Sequence, residues 1–158
     1  DELMLALLDE GRRRLLSTLR HRMQRSTAPA DQVRAWIEGV LAQASNAAAA
    51  ARTRPWVTSE QRLAELFPEE QQASVDLIIG LLDDPIMHLA GRSVRRGRAA
   101  DEPDAAAHAA DRAAARAAAV MVYRLTFATL RSHLADGTRP TPSDLEDLVG
   151  FCLRGATE

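Results

Sequence analysis

The chain has 158 residues, a formal net charge of −2 and a single cysteine, and 30 of its residues are alanine and 20 are leucine. One cysteine excludes an intramolecular disulfide and is typical of a reducing compartment, so we expect a cytoplasmic protein that folds as one domain. The near-neutral charge argues against this chain itself gripping nucleic acid, which usually requires a basic face.

Apolar residues at three- and four-residue spacing predict a first helix over residues 1–25. Pro29 suits the first turn of a second helix, which is predicted to run to about residue 51. The segment 54–57 contains Pro55 and predicts a break. Thr58 followed by Gln61 is typical of a capping box, which predicts a short third helix ending near Phe67.

Pro68 opens a predicted fourth helix, and Asp84-Pro85 interrupts its pattern because the residue before a proline is disfavoured in the α region. The piece 85–91 is either a continuation of this helix or a kinked turn. Residues 92–103 have no apolar periodicity and are expected to be the least ordered stretch. A long fifth helix is predicted over 104–135 and a sixth over 142–154. Gly137 closes the fifth helix as a left-handed cap, and Thr141 caps the sixth. Since no strand pattern appears, the predicted fold class is all-α, with six helices.

The second half of the fifth helix, residues 120–130, is apolar on nearly every side. A helix of this kind is buried on most of its sides, and a partner subunit supplies the cover more readily than a six-helix chain does. We therefore expect the last two helices to form a four-helix interface with a symmetry mate, whereas the alternative is the centre of a monomeric bundle. The predicted interface residues are Val122, Thr126, Thr129, His133, Leu145, Leu148, Val149 and Cys152.

Three stretches near the end of the chain, VYRLTFATL at 122–130, DGTRPTP at 136–142 and DLVGFCLRG at 147–155, resemble the C-terminal end of TetR-family transcriptional regulators. The opening DELMLALL at 1–8 resembles the start of that family's fourth helix, and the helix order between these stretches also fits. The resemblance covers the whole chain, but only the family's regulatory domain.

The resemblance implies a homodimeric sensor domain without enzymatic activity. A small molecule bound between the helices would favour one of two dimer geometries and so release operator DNA. In such regulators the operator is bound by an N-terminal helix-turn-helix domain, and no recognition helix matches any residue here. We therefore expect operator DNA to be contacted only through an N-terminal segment that these residues do not include.

Large or polar side chains on the apolar faces of the first five helices are candidates for lining an effector cavity. Trp36, Phe67 and Met121 fit an ordinary core equally well, and His88 fits a structural histidine. The candidate ligand-binding residues are Trp36, Trp56, Phe67, Met87, His88, Met121 and Tyr123.

Motifs of catalysis, metal binding or membrane insertion are not evident. Asp104, His108 and Asp111 share a helical face but have no fourth ligand, so no metal and no cofactor are expected. Cys152 lies on the packed stripe of the sixth helix, and no apolar run approaches the roughly 18 residues of a membrane span. Two alternatives to the sensor domain are a helical module that binds protein and a small helical enzyme with a buried acid.

Overall fold

The computed structural model describes residues 2–95 and 105–157, and the backbone of these residues is almost entirely helical. No strand occurs among them, so the all-α prediction is confirmed. A short 3-10 turn, Ala42–Ala44, extends the second helix. The helices are α1 (Glu2–Met23), α2 (Pro29–Leu41), α3 (Ala47–Leu66), α4 (Pro68–Arg95), α5 (Ala105–Asp136) and α6 (Pro142–Thr157).

One apolar core runs through α1, α2, α4, α5 and α6, while α3 packs at its edge. Trp36 of α2 is the largest fully buried side chain. Its indole N–H donates to the carbonyl of Ile78 in α4 at 3.2 Å, and its ring meets Phe127 of α5 edge-on, with centroids 6.3 Å apart. A buried indole with its one donor satisfied keeps its full packing energy, so Trp36 joins three helices.

The boundary between α2 and α3 differs from the prediction. The second helix ends at Leu41, and α3 begins at Ala47, where the Asn46 side chain accepts a hydrogen bond from the Ala49 amide at 2.9 Å. The predicted break at 54–57 is wrong, because α3 continues through Pro55. Five alanines in its first turns favour the helix strongly enough to carry it past the proline.

Of the two alternatives for residues 85–91, the structure has the continuation, because α4 runs through Pro85 to Arg95. Pro85 is buried, and Leu82 and Ile86 beside it are fully buried in the core. The apolar packing on this side of the helix outweighs the lost backbone hydrogen bond. Of the stretch predicted as least ordered, residues 92–95 are helical, and 96–103 lie outside the described residues.

The connection from α5 to α6 follows the prediction. Gly137 has φ of 66°, the left-handed conformation that favours glycine. The Asp144 amide donates to the Thr141 hydroxyl at 3.1 Å, while the Asp144 carboxylate accepts from the Thr141 amide at 2.8 Å. These reciprocal bonds form a capping box that starts α6.

By length and composition α5 could cross a membrane, with an 18-residue window of mean hydropathy 1.2, of which 28% is buried in the fold. The expectation that no stretch approaches such a span therefore does not hold on hydropathy alone, because alanine counts as apolar on that scale. The finding is weak evidence for a membrane, since core helices of soluble proteins pass the same test.

Candidate functional site on α5 and α6

The seven predicted ligand residues occupy different surroundings. Trp36 is fully buried in the core, whereas Met121 is 52% exposed. His88 is also exposed, and its Nδ1 lies 2.7 Å from the carbonyl oxygen of Asp84, one turn earlier in α4. Met121 and His88 are therefore exposed to solvent, whereas the other five predicted residues are buried or half-buried.

The remaining candidates are half-buried. The rings of Tyr123 and Phe127 lie 4.5 Å apart, and Phe127 also meets Trp36, so an aromatic row connects two of the candidates. Trp56 lies against α1, where a Cβ on Gly11 would come within 3.0 Å of its ring. Phe67 separates α3 from α4, and Met87 packs at the edge of the core.

Two surface depressions, of about 380 and 470 Å³, lie along α1 and are lined by residues of α1. Both are open to solvent, and none of the seven candidates lines either of them. An effector cavity built from the seven residues therefore stays a prediction.

Four of the predicted interface residues are buried inside the chain itself. Val122 and Thr126 of α5, and Val149 and Cys152 of α6, belong to the core of a single protomer. The Thr126 hydroxyl donates to the carbonyl of Val122 at 2.7 Å, so its polar group is satisfied within the helix. The side chains of these four residues are covered by their own chain, and their part in a dimer interface stays a prediction.

The other four, Thr129, His133, Leu145 and Leu148, are half-buried. The Thr129 hydroxyl donates to the Leu125 carbonyl at 2.9 Å. The Nδ1 of His133 lies 2.8 Å from the Thr138 hydroxyl, and its Nε2 lies 3.9 Å from the Asp144 carboxylate. His133 therefore helps to hold α5 against the start of α6.

Large apolar side chains do reach solvent on both helices, but they are different residues. Met121 is 52% exposed on α5, and Phe151 is 59% exposed on α6. Each of these two residues belongs to a row of residues at helical spacing. We call the two rows together the α5–α6 apolar face. Its members are Met121, Leu125 and Ala128 of α5 and Leu148, Phe151 and Gly155 of α6.

The sequence did not show which side of α5 the chain leaves uncovered, because residues 120–130 are apolar on nearly every side. The exposure of Phe151 was missed for a related reason, since it stands directly beside the packed stripe of α6.

Polar contacts fix the position of α6 at the side of this face. The Arg34 guanidinium of α2 donates two hydrogen bonds to the Glu146 carboxylate, one of them 2.9 Å long. This side-chain hydrogen bond lowers the pKa of Glu146, and the same bond raises the pKa of Arg34. The backbone and side-chain hydrogen bonds from Thr141 lower the pKa of Asp144.

The single cysteine and the possible metal ligands bear on what chemistry the fold could perform, and Cys152 is buried. Burial raises the pKa of the Cys152 thiol to about 11, so it is protonated at neutral pH and is a poor nucleophile. Within 2–95 and 105–157, no group of three His, Cys, Asp or Glu side chains could hold a metal ion. Asp104, one of the three metal ligands considered in the sequence, lies outside the described residues.

Comparisons of the chain with protein-family models, with curated proteins and with solved structures found no match. The function is therefore argued from the fold and from the α5–α6 apolar face.

Proposed function

We propose that this chain is the effector-sensing and dimerisation domain of a TetR-like transcriptional repressor. The proposed dimer is supported by the exposure of Met121 and Phe151 on two neighbouring helices. Exposed large apolar side chains that form a patch are typical of an interaction site. Two copies of the same face, related by a twofold axis, would cover each other's exposed side chains.

The sensing part of the proposal is supported by the sequence resemblance and by one contact. Trp56 of α3 packs directly on Gly11 of α1, the helix that in such regulators leads from the DNA-binding domain. An effector that preferred one position of α3 would therefore also favour one position of α1. Operator DNA is assigned to helices outside these 158 residues.

The dimer is tested by light scattering of the chain at micromolar concentration. The expected mass is twice the 17.2 kDa of one chain. Met121→Asp combined with Phe151→Asp would give a folded monomer, because four carboxylates would be buried unpaired in the interface. A wild-type monomer would overturn the proposed dimer.

Leu77→Asp is the matched control for this experiment. Leu77 lies on α4 and is 52% exposed, like Met121, but it is not part of the α5–α6 apolar face. The Leu77→Asp chain should remain a dimer. If it dissociates as the double variant does, the effect comes from the added charge and not from the proposed interface.

The sensing role is tested with Nile red, a neutral apolar dye, added to the Met121→Asp/Phe151→Asp variant, which lacks the two most exposed apolar side chains of the α5–α6 apolar face. Saturable binding of one dye per chain, weakened by Tyr123→Ser, would support an interior cavity. The absence of such binding would contradict the sensing role while leaving the dimer untouched.

A helical protein-interaction module is the second candidate. It is favoured by the exposed α5–α6 apolar face together with the fact that neither depression on α1 contains a predicted ligand residue. This module is favoured over the sensor domain if the wild-type chain is monomeric and the double variant binds no Nile red.

A further inference from the structure

The arginines are distributed unevenly between α1 and the rest of the chain. Six of the 20 fall between residues 11 and 30, a stretch without any Asp or Glu, while the other fourteen share the rest of the chain with all 22 acidic residues. The stretch 11–30 is therefore cationic, although α1 also carries Glu2, Asp9 and Glu10 and the net charge of the chain is −2.

These six arginines fall into two groups. Arg12, Arg13 and Arg14 form ion pairs with Asp9 or Glu10, one turn earlier in the helix. Arg20, Arg22 and Arg25 form no ion pair with any residue in the described part of the chain. The dipole of α1 favours cations near its end, but it leaves the hydrogen-bond donors of these guanidinium groups free.

The two depressions of the fold lie on this same cationic surface. They adjoin each other and share Ser17 and His21. Between them they are lined by further polar side chains, Arg13, Arg20, Arg22, Arg25, Thr18 and Gln24. We call this surface the α1 basic face.

The arginine, serine, threonine and glutamine side chains of the α1 basic face are among those that contact phosphate oxygens in nucleic-acid backbones, together with lysine, asparagine and tyrosine. Arg13 and Arg20 are two helical turns apart, which is roughly 10 Å at 1.5 Å per residue. That distance corresponds to about three nucleotides of one strand of B-DNA, at about 3.4 Å each. Neither depression is lined by Phe, Tyr or Trp, and His21 is the one ring in them, so the face offers no row of rings on which successive single-stranded bases could stack.

We propose that the α1 basic face binds the phosphate backbone of duplex nucleic acid without sequence preference. This goes beyond the proposed function, in which a separate domain recognises the operator, and it does not depend on dimerisation. The net charge of the whole chain is a poor guide here, because charges farther away than about 8–10 Å are screened at physiological salt.

The test is fluorescence anisotropy of the full chain with two labelled duplexes of unrelated sequence, each long enough to span the face. Both should bind with similar affinity at low salt. If three or four phosphates are neutralised, a tenfold rise in salt should weaken binding by about 10³-fold. No binding at low salt, or binding of only one duplex, would overturn the proposal.

The double variant Arg20→Gln/Arg25→Gln should lower the salt slope by about 2, since each lost phosphate contact lowers it by about 1. The matched control is Arg62→Gln/Arg139→Gln, which removes the same charge from two exposed arginines away from α1. The control should bind like wild type, and an equal loss in both variants would overturn the proposal. Circular dichroism checks that both variants are folded.

Poly-glutamate separates a phosphate site from a site for acidic protein segments. At equal charge concentration, unlabelled duplex should displace the labelled duplex far better than poly-glutamate does. If the two compete equally, the face does not recognise phosphate, and an acidic protein becomes its partner instead.

Discussion

Gly39 determines how closely α1 and α2 approach each other. A Cβ built on Gly39 would lie 2.6 Å from Cδ2 of Leu19 and 3.2 Å from Cδ of Arg22. Leu19 is fully buried, so its methyl group has no free space into which it could move. The two helices can therefore pack at this distance only because residue 39 has no side chain.

Gly39→Ala should consequently destabilise the fold. The alanine gains up to about 1 kcal/mol of helix propensity. Overpacking of a filled core costs about 1–3 kcal/mol, which outweighs that gain. Unfolding in urea, followed by circular dichroism, measures the difference.

Gly91→Ala is the control, because no described atom outside the neighbouring backbone of α4 lies within 4 Å of a Cβ at Gly91. This change should stabilise the chain by about 0.5–1 kcal/mol through helix propensity alone. Equal stabilisation by Gly39→Ala would show that the contact with Leu19 is not tight.

At the residue scale, the sequence predicted which helices carry the candidate surface but not which side chains form it. Val122 and Met121 are neighbours in α5, both apolar, yet one is buried and the other is exposed. When all sides of a helix are apolar, periodicity does not identify the core side. Tertiary contacts such as that between Trp36 and Phe127 decide the rotation of the helix, and they join residues far apart in sequence.

The sixth helix depends on two carboxylates near its start. Asp144 forms the capping box with Thr141, and Glu146 ties α6 to Arg34 of α2. Both carboxyl groups have pKa values lowered by these hydrogen bonds. A lowered pKa means that the contribution to stability is complete above the ordinary carboxyl pKa and disappears as the pH falls through the lowered value.

Asp144→Asn should therefore flatten the acid side of the stability profile. Wild type should lose stability as the pH falls below about 5, and the variant should lose less over the same range because one of the responsible carboxylates is missing. Thermal melts at a series of pH values measure this slope. Asp147→Asn, an exposed change on the same helix, is the control and should keep the wild-type slope.

At the scale of elements, local signals worked where the chain turns and failed where it stays helical. Gly137 and Thr141 mark the turn between α5 and α6, since each position has a specific backbone requirement. Pro55 and Pro85 carry equally strong local signals against a helix, yet both lie inside one. At the exposed Pro55 the helix propensity of the preceding alanines carries the helix on. At the buried Pro85 the packing of neighbouring residues overrides the proline, and the strength of that packing cannot be read from a local pattern.

The core extends without a break from α1 to α6, so the described helices should unfold as one cooperative unit. Cys152, the only cysteine of the chain, lies buried where α6 joins that core. The accessibility of the Cys152 thiol therefore reports whether α6 detaches from the core before the other helices unfold.

In native buffer we expect Cys152 to react slowly with a thiol reagent such as DTNB. With increasing urea, the labelled fraction should rise together with the loss of helical signal, because opening of this site requires global unfolding. Labelling at clearly lower urea concentrations would show instead that α6 detaches separately.

The contact between Trp56 and Gly11 also has a spectroscopic consequence. The two indoles of the chain have unlike surroundings, since Trp36 is sealed in the core and Trp56 is half-buried between α3 and α1. A soluble quencher such as acrylamide should quench the fluorescence of Trp56 but not that of Trp36. The extent to which Trp56 fluorescence is quenched thus reports on the packing of α1 against α3 without any attached label.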